Sequence, residues 1–501
     1  MRSFLACLTA IAVGASFAVP SDAAAPLPLP TKYGTAKGFQ LVGQTTLGNR
    51  GMNSPIAVAG PCVYVGDRGD RSGVAIVDVK NPSKPRQVGT IPAVSGSTQR
   101  ELRADAGLGL LVVMTYSLDG VGSTTGNYLH TYDIRNCAKP VLLSTVDFGP
   151  RSPHEFFLWK DPKKPGRALA YVAFTIYSPD LVVYDLSDPK APSIASVFDT
   201  GIDSARPFGA FDSSGGYLHS LSVSDDGTRA YMGTWDYGMY VADTSTLAAG
   251  SPGAVVPLGA PATYLGNVHG GVKVPGKPYA LLVQEGYAGV YTPGVATSGC
   301  PFGWLRMADL SVENAPRLVE GAEFKLQEND CKRSRELNGT FTSHNQTLFP
   351  NVALVPWYGG GLRAVDISEP SKPVEAGAFV PKPTFVPDFR DARLFFRSGE
   401  RWTGAMWSYP VVQNGLIYVV DIDLGLFILR YTGKGANEVS QAAFVEGNSS
   451  PARYSKKDPV IKRPAAQYAS WAGPTTYVRD RFADVPLPKG MKKTYGFFCV
   501  L

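Results

Sequence analysis

Four of the chain's five histidines stand at corresponding places in four successive sequence units. They are His154, His219, His269 and His344, and each lies at or just before an apolar segment that predicts a β-strand. Imidazole nitrogens are common ligands of transition metals, and a set of four without a thiolate suits Fe, Cu or Zn without choosing among them. The series predicts a four-histidine metal site, provided that the fold brings the units together around one axis.

Two other uses of these histidines stay open. One is a structural role, in which the rings bridge backbone groups at the entrance of each unit. The other is acid–base catalysis without a metal. A structural feature of a repeat should recur in every unit, which favours a site over a structural role. Three units carry other residues near that place: Ser54, Glu101, and Met406 or Trp407. The fifth histidine, His130, lies inside the apolar strand YLHTYD, and we expect it to be an ordinary packed residue.

Ligand imidazoles need hydrogen-bond acceptors that fix the orientation of the ring. Glu155 directly follows the first histidine of the series, and Glu101 lies in the part of the chain where the series is missing. Both are candidates for this supporting role. Pairing of these carboxylates with Arg100 or Arg103 is the alternative, and the sequence leaves it open.

The histidines are carried by copies of one repeated unit. Each copy has two apolar strands, then a Gly-hydrophobic-x-hydrophobic-x-Asp strand, a turn bounded by Pro and a last strand. The clearest copies are GVAIVDVKNPSKP, LVVYDLSDPKAP and LRAVDISEPSKP. The Asp accepts local backbone hydrogen bonds, and the Pro presets the backbone of the turn. A single small sheet cannot bury both of its faces, so such units stack on one another.

Seven units of this kind predict an all-β, seven-bladed β-propeller, with six or eight blades as the alternative counts. The last unit lacks a fourth strand, and FQLVGQTTL at 39–47 resembles the fourth strands of other units. We therefore expect an N-terminal strand to close the ring in the last blade. The predicted divisions are a signal peptide at 1–25, the propeller at 38–433 and a C-terminal tail at 434–501 that wraps and packs on the propeller.

The three motifs quoted above resemble the LVIVD-repeat proteins, a group of exported bacterial propellers. The resemblance spans about 39–433 and is strongest in three of the units. It implies the propeller fold and an exported protein. It implies little about chemistry, because one fold serves many functions.

The N-terminal residues and the composition limit where the protein is located and what it binds. Arg2, a following apolar run and small residues at 21–25 predict a cleaved secretory signal, and no other segment predicts a membrane span. We expect a secreted or periplasmic protein, in which disulfides are permitted. Cys300 and Cys331 flank an irregular insertion and are the candidate pair. A net charge of +6 without a dense cluster of Lys and Arg argues against nucleic acid as a partner.

Two functions follow from these residues. The first is a metal-dependent oxidoreductase, an oxygenase or oxidase, that acts on a small molecule at a transition metal ion held by the four histidines. The alternative is a non-catalytic propeller that binds a protein or glycan partner and uses its histidines structurally. The sequence identifies no catalytic residue and no organic cofactor.

Overall fold

The computed structural model describes residues 34–69, 72–119, 122–175, 177–200, 217–235, 237–259, 261–262, 267–286, 303–329, 341–382, 406–447 and 474–484. The predicted signal peptide and the candidate pair Cys300 and Cys331 lie outside these ranges. The two α-helices within them are short, α1 (Ser245–Ala249) and α2 (Ala436–Gln441). No helix in the described ranges is long and apolar enough to cross a membrane.

Nearly all other regular structure is β-strand. The first ten strands are β1 (Thr35–Lys37), β2 (Phe39–Thr45), β3 (Asn53–Ala59), β4 (Cys62–Asp67), β5 (Val74–Asp78), β6 (Arg86–Ile91), β7 (Ser97–Asp105), β8 (Leu110–Ser117), β9 (Tyr128–Asp133) and β10 (Val141–Asp147). The next twelve are β11 (Phe156–Lys160), β12 (Ala168–Ala173), β13 (Leu181–Asp185), β14 (Ser193–Phe198), β15 (Ser220–Val223), β16 (Arg229–Gly233), β17 (Met239–Asp243), β18 (Val256–Pro257), β19 (Val268–Lys273), β20 (Tyr279–Gln284), β21 (Leu305–Asp309) and β22 (Arg317–Phe324). The last nine are β23 (Thr347–Leu348), β24 (Val352–Pro356), β25 (Leu362–Asp366), β26 (Val374–Val380), β27 (Val411–Gln413), β28 (Leu416–Asp421), β29 (Gly425–Tyr431), β30 (Phe444–Glu446) and β31 (Thr476–Arg479).

These strands form seven sheets, and each sheet is one blade. Blades 1 to 6 are β3–β6, β7–β10, β11–β14, β15–β18, β19–β22 and β23–β26, and blade 7 contains β27, β28 and β29 with β2 at its outer edge. The prediction of a seven-bladed β-propeller is confirmed.

Both ends of the described chain join these sheets. Strand β2 pairs with β29 in antiparallel fashion, with Phe39 opposite Tyr431. Strand β1 extends blade 6, and β31 runs parallel to β10 on blade 2. Strand β30 pairs with β27 on the inner side of blade 7, and its Glu446 lies 3.6 Å from the Lys160 ammonium of blade 3. The segment after residue 433 therefore supplies strands to two blades.

The apolar core lies between the blades. Each of the seven interfaces between neighbouring blades holds one apolar cluster of buried side chains. In LVVYD, Val182 and Tyr184 pack towards blade 2, whereas Leu181 and Val183 pack towards blade 4. Alternation along a strand thus fills two interfaces at once, as the motif predicts.

The recurrent Asp at the end of the third strand closes the turn in blades 1 to 6. One carboxylate oxygen accepts a hydrogen bond from the backbone N–H two residues further on. The six pairs are Asp78 with Lys80, Asp133 with Arg135, Asp185 with Ser187, Asp243 with Ser245, Asp309 with Ser311 and Asp366 with Ser368. In blade 7 the same contact joins Asp421 to Asp423, but Asp421 ends the second strand, β28. This confirms the predicted role of the motif's Asp in the turn.

A disulfide that the sequence did not assign joins blades 1 and 2. It links Cys62 in β4 with Cys137 in the loop after β9, and their Cα atoms are 5.9 Å apart. The bridge closes a loop with a sequence separation of 75 residues, so it restricts the unfolded chain strongly.

His130 lies within blade 2, away from the other histidines. Its Nδ1 is 3.0 Å from the hydroxyl of Thr145, and burial lowers its pKa to about 4. Since the ordinary pKa of His is about 6.5, the unfolded chain takes up a proton below that pH while the folded protein does not.

Stability is therefore expected to fall as the pH drops from about 6.5 towards 4, by about 2–3 kcal/mol from this side chain. Denaturant unfolding of the wild type and of a His130→Gln variant at pH 7.5 and pH 4.5 measures this contribution. The variant should lose less stability than the wild type between the two values. Equal losses of stability in the wild type and the variant would show that His130 has the same pKa in the folded and the unfolded state.

Candidate metal centre

The four histidines of the series lie at the start of the innermost strands of blades 3 to 6, or one to three residues before it. Three of them donate a backbone N–H to the last residue of the second strand in their blade: His154 to Ala173 at 2.8 Å, His219 to Gly233 at 2.8 Å and His344 to Pro356 at 3.0 Å. His269 is the extra residue of a β-bulge between Val268 and Gly270 in β19. A bulge redirects a side chain, and here it lets His269 join the other three.

The rings follow one another around the channel. Their centroids are 4.1 Å apart for His154 and His219, 4.4 Å for His219 and His269, and 4.1 Å for His269 and His344. The Nε2 atoms of His154 and His219 are 2.8 Å apart. All four side chains are buried. The structure brings together the whole series that the sequence singled out.

Two buried glutamates complete the cluster. Glu155 Oε1 lies 3.1 Å from His269 Nε2. Glu285 lies 3.3 Å from Nε2 of His344 and 3.6 Å from Nε2 of His219. Sequence reasoning missed Glu285, which directly follows β20. The available signal was a carboxylate after the apolar segment YALLVQ, where a neutral residue would have continued the packing.

The ligating atoms are close enough to share one ion. Three overlapping sets each have their ligating atoms within 4.8 Å of one another: His154, Glu155 and His219; Glu155, His269 and His344; His219, His269 and Glu285. Bonds of about 2.0–2.2 Å to a metal place neighbouring ligand atoms roughly 3–4 Å apart. The cluster therefore has the composition and the spacing of a transition-metal site.

Two aromatic residues orient the cluster from the turns between the second and third strands of blades 4 and 6. Trp235 and Tyr358 have left-handed backbones, with φ of 52° and 44°. The ring of Trp235 stacks on His219 at 4.6 Å and an interplanar angle of 21°. The hydroxyl of Tyr358 donates a hydrogen bond to Glu285. An uncommon backbone conformation is thus used twice to hold a residue of the cluster.

The other predicted carboxylate, Glu101, belongs to a separate ion pair. Its Oε1 is 2.6 Å from Arg103, and its Oε2 accepts a hydrogen bond from the backbone N–H of Phe156 at 2.8 Å. Pairing with Arg103 was the open alternative, and for Glu101 the structure has that arrangement. Glu155 instead contacts the histidines.

Arg100 contacts the cluster directly. It is the extra residue of a β-bulge in β7, between Gln99 and Glu101. Its Nε donates to the backbone carbonyl of His154 at 2.7 Å, and a terminal nitrogen lies 2.7 Å from Nε2 of the same histidine.

Burial and charge decide the protonation of the cluster. Burial, reinforced by the charge of Arg100, holds the pKa of His154 well below its ordinary value, and burial and the neighbouring histidines do the same for His219. Burial alone would lower the pKa of His269 and raise that of Glu155. Their mutual attraction outweighs burial, so the pKa of His269 is raised and that of Glu155 lies well below its ordinary value. Two neutral imidazoles are thus available as ligands beside an ionised carboxylate.

A cavity of about 30 Å³ adjoins the cluster. Its walls come from blades 1, 2, 3, 5, 6 and 7: Ser54, Pro55, Arg68, Arg100, Glu101, Glu155, Glu285, His344, Asn345, Tyr358, Trp407, Ser408 and Tyr409. A space of this size holds a water molecule or a group of a few atoms. Blades without a histidine therefore leave room next to the cluster.

Comparison with known proteins bears on the fold alone. The sequence model of the LVIVD repeat matches residues 50–91 and 353–380, in blades 1 and 6. Sqt1 of Saccharomyces cerevisiae is 10% identical, with a TM-score of 0.43 over 80% of this chain and 99% of that one. The β-propeller domain of Myceliophteria thermophila Cps50 (Swd1) is also 10% identical, with a TM-score of 0.43 over 76% of this chain and 97% of that one. No curated protein sequence matches the chain. The protein is a seven-bladed β-propeller that carries LVIVD repeats.

Proposed function

We propose that the channel cluster binds one divalent transition metal ion and that the protein is a metal-dependent oxidoreductase acting on a small molecule. The observation that carries this proposal is the convergence of four histidines and two glutamates with ligating atoms within 4.8 Å in each set of three. Ligands of this kind suit iron, copper and zinc.

Unused hydrogen-bonding capacity supports a ligand role over a purely structural one. Glu155 Oε2, His219 Nδ1 and His269 Nδ1 are buried and have no hydrogen-bond partner among the described residues. Buried polar atoms of structural residues are nearly always paired. A bound ion would give the Glu155 oxygen a partner and offset the cost of burying its charge.

The cavity beside the cluster supports chemistry at the ion. Iron or copper held by these residues would supply electron transfer from a bound molecule to dioxygen. In the oxidase form of the reaction, the substrate gives up two electrons and two protons, and dioxygen takes them up as hydrogen peroxide. The protein would hold the ion, exclude bulk water and admit a small substrate from one side.

We further infer that the protein works in an oxidising compartment outside the cytoplasm. The disulfide between Cys62 and Cys137 supports this inference, since such bonds persist in oxidising surroundings. The signal-like segment at 1–25 supports it independently.

A second candidate is a scaffold that binds a protein or glycan partner and uses these histidines structurally. The contacts that favour it are the hydrogen bonds of His154 with Arg100 and of His344 Nδ1 with the backbone carbonyl of Trp407 at 2.6 Å. They give two of the rings partners among the protein's own groups.

Metal analysis of the purified protein separates the two. The full chain is incubated in turn with Fe(II), Cu(II) and Zn(II), freed of excess metal and assayed for bound metal and thermal midpoint. The proposal expects about one equivalent of at least one metal per chain, and a thermal midpoint that drops when a chelator is added. A metal ion at a free concentration of 100 times its Kd stabilises the folded state by about 2.7 kcal/mol. Metal-free protein with an unchanged midpoint would leave only the scaffold. Peroxide release with iron or copper bound tests the oxidase form.

Glu285 provides a sharper test, because sequence reasoning did not select it. The Glu285→Gln variant keeps the shape of the side chain but removes its negative charge beside His219 and His344. Metal affinity is expected to fall by about 10–100-fold. The matched control is Glu323→Gln, which removes a carboxylate from an ion pair with Arg306 in blade 5, where the Glu323 side chain is 44% exposed. If both variants bind the metal with equal affinity, Glu285 is not part of the metal site.

A further inference from the structure

We propose that the cavity beside the histidine cluster binds a small carboxylate, and that it does so only when the cluster holds its metal ion. This rests on the metal site proposed above and names the chemical class of the molecule that would meet the ion. The cluster by itself does not specify that class.

One wall of the cavity is cationic. Arg68 and Arg100 both line it. The guanidinium carbon of Arg68 lies 5.5 Å from the ring centroid of Trp407 and 5.6 Å from that of Tyr116, and the guanidinium of Arg100 lies 5.8 Å from Tyr116. Aromatic faces position the two guanidinium groups. The planar guanidinium fork matches the two oxygens of a carboxylate.

A metal ion would add positive charge to a lining that already holds two cations. Arg68 and Arg100 carry two positive charges; Glu155 and Glu285 also line the cavity, and Glu155 is already paired with His269 at 3.1 Å. The fifth charged residue of the lining, Glu101, is already paired with Arg103 at 2.6 Å. A divalent ion adds two positive charges to a buried space where unpaired charge is costly. An anion in the cavity would offset that excess.

Arg100 couples the two binding events. Its terminal nitrogen lies 2.7 Å from Nε2 of His154. A metal held through that nitrogen takes up its lone pair, so the N–H of Arg100 needs another acceptor. A carboxylate bound in the cavity that Arg100 lines would supply one. Binding of the ion and of the carboxylate should therefore strengthen each other.

The remaining walls fit a small, flat group. The volume of about 30 Å³ has room for a few atoms. Ser54, Asn345 and Ser408 offer polar groups, and Tyr358 and Trp407 offer flat ring surfaces. A carboxylate head group meets these constraints, whereas a bulky or wholly apolar group does not.

Titration calorimetry on the full-length, metal-loaded protein tests the proposal, with acetate as the probe, acetamide as its neutral counterpart and phosphate as a tetrahedral anion. Acetate is expected to bind at least about tenfold more tightly than acetamide and phosphate, and at least about tenfold more tightly than it binds metal-free protein. Arg68→Gln should weaken acetate binding about tenfold or more without loss of metal. The control Arg363→Gln, which removes a largely buried Arg paired with Glu375 in blade 6, should bind acetate as the wild type does.

The outcomes separate this proposal from the metal site. A wild type that takes up no metal overturns both, and metal analysis shows this before acetate is added. A metal-loaded wild type that does not bind acetate, or an Arg68→Gln variant that binds it equally well, overturns the carboxylate proposal alone. Equal binding of phosphate overturns the assigned class, and metal-free protein that binds acetate equally well overturns the coupling. If Arg68→Gln does not fold, Arg68→Lys takes its place, since it keeps the charge but loses the fork.

Discussion

A His219→Ala/His269→Ala double variant is expected to retain less than about a tenth of the bound metal of the wild type, because each of the three ligand sets loses at least one member. The two side chains are central in the cluster, between His154 and His344 in the sequence of ring contacts. The remaining imidazoles have their own partners, Arg100 for His154 and the carbonyl of Trp407 for His344. Bound metal per protein chain, measured after removal of excess ion, gives the result.

The matched control is His130→Gln, which also removes a buried histidine. His130 contacts Thr145 within blade 2 and none of the cluster residues. That variant should hold as much metal as the wild type. If the double variant keeps its metal, the ion binds elsewhere and the channel site is wrong. The thermal unfolding midpoint of each variant checks that the variant is folded when its bound metal is measured.

Arg103→Met is expected to destabilise the fold by about 3–5 kcal/mol, because it removes one partner of a fully buried ion pair. The Arg103 side chain is 2% exposed, and it pairs with Glu101 at 2.6 Å. It also donates to the backbone carbonyl of Gly447, directly after β30, and its guanidinium lies 3.8 Å from the centroid of the Tyr409 ring. One side chain thus joins blade 2 to blade 7, both at Tyr409 and directly after β30. Denaturant unfolding at pH 7.5 measures the loss.

Two variants make the result interpretable. Arg135→Met removes an Arg that is 44% exposed and pairs with Asp133, and it should cost about 1 kcal/mol or less. Glu101→Gln/Arg103→Met removes both charges of the buried pair and should recover part of the stability, since the unpaired carboxylate causes much of the loss. An Arg103→Met protein within about 1 kcal/mol of the wild type would show that the pair contributes little.

Particular residues show how far sequence reasoning reached. The Asp of each motif and the alternation in LVVYD predicted the turns and the interfaces, because hydrogen bonds two residues apart and the two-residue period of a strand are local properties. The histidine series was visible because a repeat places equivalent residues at equivalent heights. His269 joined it through a β-bulge, which strand periodicity does not reveal.

The sequence by itself determined the ring of seven sheets and the four imidazoles at its axis, since both follow from a repeated local pattern and the symmetry of stacking. Only the tertiary structure decided which charges meet. Glu285 faces His219 and His344, Glu101 pairs with Arg103, and Cys62 joins Cys137. These partners come from different blades or from neighbouring positions on a strand, and no spacing along the chain distinguishes them. Their choice depends on distances of a few ångströms in a buried channel, where a charge must find its partner or be neutralised.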